Sequence, residues 1–119
     1  METLVSAATS HHVRISVPTR RAIEFIDLTD RIEALAAGSG VHTGLVNIQS
    51  LHATTAIGVD QQEPRLLSEL DALRVSPSAL LNFAEGRLQL ADGQRVFLVE
   101  LDGPRVREVS VLVVGEGAR

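Results

Sequence analysis

The chain has 119 residues, a net charge of −4, 45% hydrophobic and 22% charged residues, which fits one soluble domain around one core. With no Cys, no Trp, no Tyr and every basic side chain an Arg, it lacks disulfides, thiolate metal sites and Cys nucleophiles, and also the stacking platforms and basic patch that nucleic acid needs. No apolar run approaches the roughly 20 residues that span a bilayer, and residues 1–12 lack the basic and apolar regions of a signal peptide, so the expected location is cytoplasmic, without a membrane partner.

In chain order, residues 1–12 read as a polar, frayed segment holding His11 and His12, and 13–119 as one domain. Val13–Val17 alternates with period two and stops at Pro18; Ile23–Leu28 alternates again, which predicts a hairpin. Thr29 is placed to cap a helix over Asp30–Ala37 that Gly38 and Gly40 end. Gly44–Leu51 reads as a buried strand, with His42 solvated before it. Pro64–Leu73 carries leucines at 66, 67, 70 and 73, a helical stripe directed at the core. A loop follows around Pro77, then a short strand at Arg87–Leu90 and an Asp92-Gly93 hairpin turn. Arg95–Leu101 and Val106–Val114 flank a second turn at residues 102–105, completing an antiparallel β-meander. The expected class is α+β, with antiparallel sheet and two helices.

Chemistry concentrates where the Gly44–Leu51 strand ends. His52, Thr54, Thr55, Asp60 and Glu63 bring an imidazole, two hydroxyls and two carboxylates within about a dozen residues, a set able to hold a metal or a phosphate. The same residues also suit a solvated strand end. Arg105 is a turn arginine or an anion ligand, and Glu100, between Val99 and Leu101, is a solvated strand residue or one at a subunit contact.

The order of FIDLTDRI, GLVNI, HATTAIGVD, the leucine stripe, GRLQL and QRVFLVELDGPRVREV resembles the YjbQ-like family over Val13–Val114. Members of that family are known as secondary thiamine-phosphate synthases on the strength of weak activity. The resemblance implies a small sandwich-like α+β fold, a trimer, and a polar cluster near the subunit contacts. It places His52 as the catalytic imidazole, Thr54 and Thr55 on phosphate oxygens, and Asp60 and Glu63 on Mg²⁺ or Zn²⁺. His52 and Thr54 match the family pattern, but its Asn-Glu pair reads Asp60-Gln61 here. The family's further histidines are missing from the short segment Val75–Ala84, and Asp92-Gly93 stands where it has Trp. The reading is therefore a reduced member, a small-ligand-binding or structural oligomer without efficient catalysis, holding a phosphorylated or otherwise anionic ligand. The alternative is an enzyme joining a pyrimidine pyrophosphate to a thiazole phosphate.

Overall fold

The computed structural model describes residues 8–61 and 75–117. Among these residues nine strands and one helix follow in chain order: β1 (Ala8–Pro18), β2 (Glu24–Asp27), α1 (Thr29–Ala37), β3 (Val41–Ser50), β4 (Thr55–Asp60), β5 (Val75–Ser76), β6 (Ser78–Ala84), β7 (Arg87–Leu88), β8 (Arg95–Glu100) and β9 (Val106–Gly117). They form a five-stranded sheet, β1-β9-β3-β6-β7, and a four-stranded sheet, β2-β8-β4-β5. Every pairing between them is antiparallel. The expected antiparallel sheets are present, but with one nine-residue helix among the described residues the fold is mainly antiparallel sheet rather than helix-rich α+β. The predicted second helix, Pro64–Leu73, lies outside the described residues. No helix of the described residues is long and apolar enough to cross a membrane.

One core lies between the sheets. Period-two alternation turns Ile15 and Val17 of β1, Val46 and Ile48 of β3, Phe83 of β6, and Val109, Val111 and Val113 of β9 inward from the larger sheet. Ile57 of β4 and Val96 and Leu98 of β8 meet them from the smaller one, with Ile32 and Ala36 of α1 closing one side. β8 is buried on both faces, because Phe97 and Val99 pack outward with Phe25 and Ala56. Such a strand reads as a continuous apolar run rather than an alternation.

Four expectations are corrected by the pairing. The N-terminal segment is not frayed from Ala8 onward: residues 8–12 pair with β9, and the His12 Nε2 lies 2.7 Å from the Ser110 hydroxyl. Thr29 does not cap α1. Its N–H donates to the Asp27 carboxylate (2.9 Å), while its hydroxyl accepts the Val96 N–H (2.7 Å) and fastens the helix start to β8. The three predicted hairpins are crossings between sheets, since β1 and β2, β7 and β8, and β8 and β9 lie on different sheets, so the C-terminal half is no meander. The tight hairpin is β6–β7, at Glu85 and Gly86, both with positive φ (55° and 76°), the backbone twist a two-residue turn needs.

The alternation in β6 yields a direct check. Phe83 is buried and Leu80, on the opposite face of the same strand, is 62% exposed. In urea unfolding, Phe83→Ala is expected to lose about 3–5 kcal/mol, and Leu80→Ala no more than about 0.5 kcal/mol.

Candidate functional site

Three crossings between the sheets meet at one end of the molecule: residues 19–23 after β1, 51–54 after β3, and 101–105 after β8. Each leaves a strand with backbone groups that the ladders no longer satisfy, and the crossings supply partners for one another. Thr19 N–H donates to the Arg105 carbonyl (2.8 Å), Gly103 N–H to that of Ala22 (3.0 Å), Leu101 N–H to that of Thr54 (3.1 Å), and Leu51 N–H to that of Glu108 (3.3 Å).

At the centre stands an ion pair. Glu100 is the next inward position of β8 after Val96 and Leu98, and Arg107 the inward position of β9 before Val109; their side chains are 0% and 4% exposed. Arg107 donates through Nε to Glu100 Oε1 (2.8 Å) and through Nη2 to Oε2 (2.7 Å), the bidentate geometry that makes the strongest ionic hydrogen bonds. The Thr19 hydroxyl donates to Oε1 (2.6 Å) and the Asp102 N–H to Oε2 (3.1 Å). Thr19 Oγ1 in turn accepts the Arg105 N–H (2.9 Å), and Arg107 Nη2 also reaches Thr54 Oγ1 (2.7 Å). The Arg107 guanidinium holds the Glu100 carboxyl at about 2 against an ordinary 4.5, with Thr19 and Asp102 assisting against the upward push of burial. Gly103 is required beside this group: a Cβ there would meet the Arg21 carbonyl oxygen, and would lie 2.9 Å from both Glu100 Cγ and Thr19 Oγ1. Glu100 is thus neither solvated nor placed at the surface, because β8 turns it into the core face where Arg107 awaits it.

Of the sequence-derived site residues, His52 and Thr54 lie at this corner. His52 Nε2 accepts the Glu108 N–H (3.0 Å), so the ring stands where a further residue of β3 would have offered a carbonyl. Thr54 is exposed, with its hydroxyl oxygen on Arg107. Thr55 is buried, donates to the His52 carbonyl (3.1 Å) and contacts the Ser50 hydroxyl. Arg105 folds onto its own turn, with Nε on the Asp102 carbonyl (2.9 Å) and Nη2 on its carboxylate (3.1 Å). Asp60 is not brought to the corner: it ends β4, whose Thr55 end lies roughly 17 Å away at 3.3 Å per residue. Glu63 lies outside the described residues. Among those described, no three His, Asp or Glu side chains group closely enough to hold a metal ion. Thr19 and Arg107 were not singled out from sequence; the spacing of Glu100 and Arg107 across a Gly-Pro turn was the available signal.

Two antiparallel sheets with a polar knot locking their crossings define a small β module, its site residues held largely by one another. The chain belongs to the YjbQ-like family: residues 13–75, just over half of it, match the profile described as UPF0047 protein YjbQ-like. A UPF0047 protein of Methanothermobacter thermautotrophicus is 29% identical over 125 residues, covering 82% of this chain and 87% of that protein. A YbjQ-like protein of unknown function from Sulfolobus solfataricus superimposes with a TM-score of 0.78 at 26% identity, covering 92% of this chain and 99% of the other. A conserved hypothetical protein of Thermus thermophilus gives a TM-score of 0.64 at 32% identity, covering 83% and 97%.

The ion pair sets a pH response. Glu100 titrates lower in the folded chain than in the unfolded one, so its contribution to stability is full above about 4.5 and is lost as pH falls from there through about 2. Acid titration of the unfolding free energy should lose on the order of 3 kcal/mol over that window, and Glu100→Gln should remove the slope. At pH 7 the same variant should cost about 3–5 kcal/mol, since Arg107 is left buried without its counter-ion.

Proposed function

We propose that this chain is a non-catalytic YjbQ-like protein that assembles with copies of itself, as a trimer by family resemblance, and holds a small anionic ligand without turning it over. The observation that carries the reading is the state of His52. Its Nε2 is taken by the Glu108 N–H, and Thr55 and Arg105 are likewise engaged within the fold. An imidazole used as a backbone substitute cannot take a substrate proton through that nitrogen without giving up the bond.

Self-association is supported by the outer face of the larger sheet. Two neighbouring rows run across four strands there: Leu80, Asn47, Leu112 and His12, then Asn82, Leu45, Val114 and Ser10. Leu80, Leu45 and Val114 are 62%, 43% and 39% exposed. None of the eight is an Asp, Glu or Arg, although charged residues make up 22% of the chain. Depletion of charge with retained aliphatic and amide groups is the composition of an interface centre.

Light scattering at micromolar concentration is expected to give a trimer mass, and the mixture of pyrimidine pyrophosphate and thiazole phosphate to form thiamin phosphate no faster than without protein. A monomer mass would remove the assembly reading, and turnover abolished by His52→Ala would restore the enzyme reading. His52→Ala is otherwise expected to leave the trimer intact while lowering stability by about 1 kcal/mol, the worth of one lost hydrogen bond.

A further inference from the structure

The guanidinium of Arg107 has five N–H donors, and the fold uses only part of them. Nε and Nη2 serve Glu100, and Nη2 also serves Thr54 Oγ1 and reaches the Asp102 carbonyl at 3.5 Å. Both donors of Nη1 are without an acceptor among the described residues, on a side chain only 4% exposed. No fully buried side-chain nitrogen or oxygen of the described residues lacks a partner, so Nη1 is not sealed in. A guanidinium is planar: with one edge, Nε and Nη2, fixed on the carboxylate, the edge formed by Nη1 and Nη2 faces the other way. That second edge is where Thr54 stands. Because Thr54 Oγ1 accepts from Nη2, its own proton is directed elsewhere, and Thr54 is exposed.

We propose that the unpartnered Nη1 of Arg107 and the Thr54 hydroxyl form a binding site for a single carboxylate group of a small ligand. This deepens the ligand part of the function proposed above and rests on it. Both Nη2 hydrogens are already given to Glu100 and Thr54, so the site offers an Nη1 N–H and the Thr54 O–H, one donor for each oxygen of a carboxylate. Charge selects the same class. Glu100 pairs with Arg107 and Asp102 with Arg105, so the guanidinium at the site is already neutralised and suits a monoanion better than a phosphate dianion. Glu100 also fixes the guanidinium plane in advance, so the ligand orders no long side chain when it binds.

The test is a titration of the full-length ¹⁵N-labelled protein at pH 7 with sodium acetate, against sodium chloride at equal ionic strength, read on the Arg107 Nε–H resonance. Acetate is expected to shift it saturably in the millimolar range. Thr54→Val should weaken binding about tenfold, the worth of a hydrogen bond to a charged group. Thr54→Ser, which keeps the hydroxyl, and Arg105→Ala should bind as the parent does. A shift no different from chloride, or one that survives unaltered in Thr54→Val, overturns the proposal. So does inorganic phosphate binding more tightly than acetate, though that result would leave the anion-holding function standing. If thiamin phosphate raises the melting temperature while acetate gives nothing, the carboxylate site alone has failed.

Discussion

A carboxylate and a guanidinium locked together inside the protein hold the two sheets in their relation. β8 belongs to one sheet and β9 to the other, with only five residues between them, so the chain must leave one layer and enter the next almost at once. Glu100 is the last residue of the first strand and Arg107 the second of the other, and their bidentate contact spans the change of layer. Buried ion pairs are weak evidence of net stability against an apolar alternative. What this pair supplies is uniqueness: four bonds converge on the Glu100 oxygens, and an offset of one residue in either strand would leave a buried charge unmatched.

The other features of the corner follow. Thr19 is drawn in because Glu100 needs a further donor, and this anchors the crossing from β1 to β2. Thr54 is held by Arg107 and by the Leu101 N–H, anchoring the crossing from β3 to β4. Gly103 is small because the turn runs directly over Glu100 and Thr19. His52 then continues the β3–β9 ladder with its ring after the β3 backbone has turned away. The residue that the family resemblance marks for catalysis thus also takes the place of a strand carbonyl.

How far the sequence could be read depended on whether the cue was local. Strands with a clear apolar alternation, such as Val13–Val17 and Val106–Val114, and the helix ending at Gly38, were legible because period and punctuation are properties of adjacent residues. β6 was missed: its alternation at Ala79, Leu81 and Phe83 is short and sits in what reads as a loop around Pro77. Asp92-Gly93 carries the stronger turn signature, yet it links two sheets, while Glu85-Gly86 makes the hairpin. Turn chemistry reports that a chain reverses, not which layer it enters. The site divided in the same manner. His52 and Thr54 are near each other in sequence and in space, whereas Asp60 was carried off by the length of an intact strand, and Thr19 and Arg107 reach Glu100 only through the fold.

The order of strands has a consequence for how the molecule comes into being. β9 follows every other element in the chain, yet it lies second in the larger sheet, pairing β1 along one edge and β3 along the other. During synthesis, β1 therefore has no partner in its sheet until almost the whole domain has emerged, and β3 can pair only with β6. Arg107 arrives with β9, so Glu100 waits uncompensated for the same event. Vectorial folding from the N-terminus, the habit of domains built from consecutive hairpins, is closed to this topology. The nascent chain therefore carries β1 without its sheet partner until β9 has been made.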